Sequence, residues 1–192
     1  IGNMELRQVF NHIFPITDDA WIELESIFTE INLGKNQYLH TEGDRAHYCY
    51  FLKDGVVRVY YTFDGNEYNK TFFISGTFPT PITALITQKP SLLNYQALTD
   101  CQLIQFSYQS FRNLFEKHRC LESLMLAIME REWINKERHD IQMVTNDATK
   151  NYLIFREEYP KLENLIPQYH ISSYLGITPI QLSRIRAQVA KK

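Results

Sequence analysis

The sequence predicts an α+β fold: an N-terminal antiparallel β barrel or sandwich, one long helix, and an all-α C-terminal unit that ends in a helix-turn-helix. Three observations carry this. Between Lys35 and Ser107, short strand-like runs are cut by glycine turns, the pattern of an antiparallel β architecture. From Tyr108 the apolar period becomes helical, with no Gly or Pro to interrupt it through about Val144. From Gln168 to Val189, QYHISSYLGITPIQLSRIRAQV, apolar positions on both sides of one glycine suit two helices that share a seam. The implied boundaries are 1–107 for the β unit with its leading helices, 108–144 for the long helix, and 145–192 for the helix-turn-helix.

A chain of 192 residues with 44% apolar content can bury a sizeable core. It has no apolar run of membrane-spanning length and no basic-then-apolar start, so the expectation is a cytoplasmic protein without a membrane partner. Cys49, Cys101 and Cys120 are odd in number and widely spaced, which fits reduced thiols. The histidines form no HxH or HExxH grouping, so neither a metal nor a cofactor is expected.

In chain order, Leu6, Val9, Phe10 and Ile13 form one helical stripe, and Thr17-Asp18-Asp19 caps a second with Trp21, Leu24, Ile27 and Phe28. Strands are expected at Gln37–His40, Tyr48–Leu52, Val56–Phe63, Glu67–Ser75, Asn94–Leu98 and Cys101–Ser107, with Asp64-Gly65 closing a hairpin. On the long helix, Leu121, Leu124, Met125 and Ile128 share one side. A helix this long cannot bury its stripe against one small barrel, so these four residues are expected to face a second copy of the chain. The alternative is a helix split by an unmarked bend and buried within the monomer. Asp147 ends a cap for a further helix, Ala148–Tyr159, whose Tyr152, Leu153 and Phe155 suit the helix-turn-helix seam.

That seam is Ile171, Leu175, Ile177, Leu182 and Ile185, with Gly176 at the turn and the small Ser172 at the closest approach. Thr178-Pro179-Ile180-Gln181 opens the second helix as N-cap, first-turn proline and capping-box glutamine. At about 100° per residue, Ile180, Ser183, Arg184, Ala187 and Lys191 then turn outward, with Gln181 and Arg186 on the flanks. The net charge of −2 divides into −6 before Asn164 and +4 from there on, carried by Arg184, Arg186, Lys191 and Lys192. An ordinary helical hairpin does not need that charge, whereas double-stranded DNA as a partner does. The expected DNA-contacting residues are therefore Thr178, Ile180, Gln181, Ser183, Arg184, Arg186 and Lys191.

Glu42-Gly43-Asp44, Leu52 to Val59, Gly76 and Ala97 to Ser107, followed by the long helix and the helix-turn-helix, resemble the Crp/Fnr family of bacterial transcription regulators. The resemblance implies a cyclic-nucleotide-binding β-roll of jelly-roll type and a homodimer acting on a two-fold DNA site. RNA polymerase is a further implied partner. It also places Thr178, Gln181 and Arg184 where the family caps its recognition helix and reads bases. Pro179-Ile180 departs from the polar readers common in the family, and the chain stops at Lys192 where a β-hairpin wing usually follows, so the wing is expected to be missing.

In nucleotide-binding members a Gly-Glu pair meets the ribose and an Arg with a small hydroxyl residue grips the phosphate. Alignment on Ala97 to Ser107 puts Thr80-Pro81 and Ser91-Leu92 at those two places. Without the arginine a buried phosphate has no charged partner, so neither cAMP nor cGMP is expected to bind. The pocket is expected to be collapsed, or to hold a less charged and unidentified effector against Phe78, Thr80, Ser91, Leu92 and Tyr95. A ligand-sensing signalling module that binds protein is disfavoured by the basic C-terminal segment, and a metal-dependent barrel enzyme has only His40 and His47 as a near pair of ligands.

Overall fold

The computed structural model describes residues 3–190, which leaves Lys191 and Lys192 outside the described residues. Helices α1 (Asn3–Ile13) and α2 (Asp18–Ser26) open the chain, and the Thr17 hydroxyl accepts the Ala20 amide at the start of α2. Seven strands follow: β1 (Thr29–Leu33), β2 (Tyr38–His40), β3 (Tyr48–Asp54), β4 (Val56–Phe63), β5 (Asn66–Ile74), β6 (Asn94–Ala97) and β7 (Cys101–Ser107), with a short helix α3 (Ile82–Thr87) before β6. They form two antiparallel sheets, ordered β1-β7-β3 and β2-β6-β4-β5. Asp64 and Gly65 both take positive φ and close the β4–β5 hairpin. Strand β1 escapes the sequence reading although Ile31 and Leu33 alternate with Glu30 and Asn32, because five residues are a short run, and it is defined by pairing with β7.

Strands β3 and β4 are apolar almost without a break because each is covered on both faces. Tyr50, Leu52, Val57 and Val59 point between the sheets. Cys49 and Phe51 point out of the first sheet into a core shared with α1 and α2. Val56 points out of the second sheet into a core shared with the C-terminal helices.

The long helix is broken, as the alternative reading allowed. Helix α4 (Tyr108–Asn113) runs into a 3-10 turn, Leu114–Glu116, and α5 (Arg119–Thr145) begins only after His118. His118 leaves the helical region at φ −127°, and its buried ring comes within 3.3 Å of Glu23 on α2. No Gly or Pro marks the bend.

The expected dimer seam is corrected. Leu121 and Leu124 have no exposed surface even within one protomer, and Met125 and Ile128 pack against the same core beneath α1. The exposed apolar residues of α5 are Leu126, Trp133, Ile134, Ile141 and Val144. At about 100° per residue, Leu126, Trp133 and Val144 lie on the opposite side of the helix from Leu121 and Leu124.

Beyond α5 come α6 (Ala148–Glu158), a 3-10 turn at Leu162–Asn164, α7 (Gln168–Tyr174) and α8 (Pro179–Val189). Asp147 caps α6 by accepting the Lys150 amide at 2.8 Å. Tyr152 and Phe155 are buried in the C-terminal core, whereas Leu153 faces solvent. This core continues into the β-roll through Val56, Phe72 and Leu98, with the Phe72 ring 5.4 Å from that of Tyr174.

Candidate nucleic-acid interface

Helix α7 and α8 meet through Ile171, Leu175, Leu182 and Ile185, all buried. Gly176 takes φ +67° between them, and the Ile177 amide donates to the Ser172 carbonyl at 3.0 Å. A side chain at Gly176 would be strained at that φ, so the turn favours glycine. The Thr178 hydroxyl accepts the Gln181 amide at 3.2 Å, and the Thr178 amide donates to Gln181 Oε1 at 2.9 Å, completing the capping box.

With Leu182 and Ile185 inward, Ile180, Gln181, Ser183, Arg184 and Ala187 are exposed on one face of α8. Two of the expected contacts have other occupations. The Gln181 carbonyl oxygen is held by the cap, so this side chain is not an unengaged amide fork. Arg186 lies toward the rear of α8, its Nε 3.7 Å from the Glu163 carboxylate. Glu163 also lies 3.1 Å from Arg156 Nε and accepts the Tyr152 hydroxyl. Burial, and then the bond to Glu163, raises the Tyr152 pKa. These four side chains border an open cleft of 350 Å³ with Val189 and Ala190. Lys191 lies outside the described residues.

The pair α7 and α8 is seated on the sheet β2-β6-β4-β5 by a polar network that the sequence reading missed. Arg58, only 4% exposed, reaches Gln96 through Nε at 2.9 Å and Glu67 through Nη1 at 2.6 Å. Its Nη1 is also 3.2 Å from His170 Nδ1, and its guanidinium lies 3.9 Å from the centre of the Tyr60 ring. Asn69 Nδ2 donates to the His170 carbonyl at 3.1 Å. The Ser173 hydroxyl accepts the Asn69 amide at 3.0 Å and donates to the Glu67 carbonyl at 3.1 Å. The available signal was an arginine inside the apolar run Val56–Tyr60, since a buried charge needs partners.

The five expected pocket residues do not line one hollow. The Phe78 ring packs 5.2 Å from Phe51 and 5.5 Å from Phe10, in the core beneath the N-terminal helices. Thr80 Oγ1 accepts the Tyr50 amide at 2.9 Å and donates to the Tyr50 carbonyl at 3.2 Å. Ser91 is buried and its hydroxyl is taken up by the Leu93 backbone, while Leu92 stands 78% exposed. Tyr95 is buried between the sheets, with its hydroxyl donating to the Thr80 carbonyl at 3.5 Å. Burial drives the Tyr95 pKa upward. His40 stacks edge-on to Tyr95 at 6.1 Å, and burial lowers its pKa.

Residues 30–118 match the family model described as the cyclic nucleotide-binding domain. No sequence relative among curated proteins matches the chain. Among solved structures, FixK2 from Bradyrhizobium japonicum superposes with a TM-score of 0.76 at 20% identity, covering 86% of this chain and 85% of that one. The c-di-GMP responsive global regulator CLP from Xanthomonas campestris gives 0.70 at 15% identity, covering 91% and 92%. A CooA mutant from Carboxydothermus hydrogenoformans gives 0.69 at 18% identity, covering 88% and 78%. By sequence model and by fold, residues 30–118 form a cyclic nucleotide-binding domain, set in a chain whose architecture over most of its length is that of FixK2 and CLP.

Proposed function

We propose that this protein is a DNA-binding transcription regulator of the Crp/Fnr type, acting as a homodimer on a two-fold-symmetric site. The observation that carries the proposal is the exposed outer face of α8, with the Arg184 side chain at its centre and without a hydrogen bond or ion pair among the described residues, in a segment without acids from Asn164 onward. A helix anchored by its inner face and capped at its start is a rigid element that fits a major groove. The likeness to FixK2 and CLP supports the same reading by analogy of fold. The exposed Leu126, Trp133, Ile134, Ile141 and Val144 on α5 supply an apolar face for a second copy.

The β-roll is not gated by cAMP in this reading. Within the segment from Phe78 to Tyr95 the sequence offers only Lys89 as a cation, Arg45 from outside it donates Nη1 to the Gln88 carbonyl at 3.1 Å, and the Ser91 hydroxyl is engaged by backbone, so a phosphate there finds neither an arginine of the segment itself nor a free serine hydroxyl. Selection of bound duplexes from a random pool is the test of DNA binding. A palindromic consensus with half-sites about one helical turn apart is expected, and no enrichment refutes the proposal. Calorimetry with millimolar cAMP tests the second part, where saturable heat with Kd below ~100 μM would restore a nucleotide-gated regulator.

A further inference from the structure

We infer that Ile180 selects a thymine in each half-site by contact with its 5-methyl group; this rests on the DNA-binding reading above. A recognition helix meets base edges with its N-terminal residues, which here are the first turn of α8. The side-chain oxygens of this turn are already engaged. The Thr178 hydroxyl accepts the Gln181 amide at 3.2 Å, Gln181 Oε1 accepts the Thr178 amide at 2.9 Å, and Pro179 has no N–H. Beside the Nε2 donors of Gln181, the side chain that faces outward from this turn is Ile180, 66% exposed and apolar.

Ile180, Arg184 and Ala187 stand at i, i+4 and i+7 on one stripe of α8, about 10 Å long at 1.5 Å per residue. That length spans about three base-pair steps. Among major-groove edges, the apolar feature is the thymine methyl, and the others present donors or acceptors. A cytosine amino group or a guanine carbonyl under Ile180 would lose its water and gain no partner, so the side chain rejects those bases as well as favouring thymine. Arg184 supplies a guanine contact beside it. The expected half-site therefore contains a thymine and a guanine within three base pairs.

The experiment takes the best duplex from the pool selection and replaces its thymines one position at a time, in both half-sites, by deoxyuridine, which lacks only the methyl. Wild-type protein should lose affinity at one position, about fourfold per half-site at ~0.8 kcal/mol per buried methyl. Ile180→Ala, an exposed change expected to leave the melting temperature unaltered, should bind the thymine and deoxyuridine duplexes equally while keeping its guanine preference. An enriched duplex in which no thymine shows this loss overturns the Ile180 assignment alone, as does a loss that persists in Ile180→Ala. A pool that yields no enriched duplex overturns the DNA-binding reading and this one with it.

Discussion

Arg58 on β4 approaches His170 on α7 across 112 residues of sequence, with Nη1 3.2 Å from Nδ1. The guanidinium is always a donor, so Nδ1 is the acceptor and the ring is neutral with its proton on Nε2. The contact ties α7 to the sheet β2-β6-β4-β5, because Arg58 also holds Gln96, and Gln96 Nε2 donates to the Asn36 carbonyl at 3.0 Å.

The first prediction concerns pH. Burial, and then the Arg58 charge, push the His170 pKa down to about 4 from an ordinary 6.5. Between those values the unfolded chain binds a proton that the folded chain refuses, so stability is full above pH 6.5 and falls as pH drops toward 4. The loss is on the order of 2 kcal/mol. Burial lowers the pKa of His139, stacked on Tyr174, in the same sense. Urea melts at pH 7.5 and pH 5 should separate for the wild type and draw closer for His170→Gln.

A second prediction separates core from interface on α5. Leu124→Ala should cost ~2–5 kcal/mol in protomer stability, because it empties a fully buried site. Trp133→Glu combined with Val144→Glu should leave the protomer folded and give monomers in sedimentation. A dimer surviving that pair of changes would move the interface off this face.

Arginines 184 and 186 should behave differently. Arg184→Ala should relax preference at one base position per half-site, worth about 1–3 kcal/mol of discrimination. Arg186→Ala should leave base preference intact and lower stability by under ~1 kcal/mol, because its neighbour is the Glu163 carboxylate. Equal loss of base preference in both variants would contradict the rearward placement of Arg186.

The cap of α8 offers a fourth check. Thr178→Ala removes the acceptor for the Gln181 amide and should cost about 1 kcal/mol in a thermal melt. Gln181 Oε1 loses the threonine hydroxyl at 3.2 Å but keeps the Thr178 amide at 2.9 Å, so base preference in a binding selection should stay as in the wild type.

Local chemistry was legible in the sequence wherever one segment determines its own shape. The α8 capping box, the Gly176 turn, the Asp64-Gly65 hairpin and the Asp147 cap all depend on residues within four positions of one another. The outward set Ile180, Ser183 and Arg184 followed as well, because helical period assigns faces once the buried residues are known. What required the tertiary structure was which apolar face meets which neighbour. Leu121 and Leu124 read the same whether they face a second copy or α1, and only the bend at His118 turns them into the protomer core. Helical period puts Arg186 on the flank of the groove face, and only the tertiary structure puts the Glu163 carboxylate beside it. The Arg58–His170 contact was the furthest from reach, since a pairing across 112 residues leaves no periodicity in the chain and exists only once the helices are seated on the sheet.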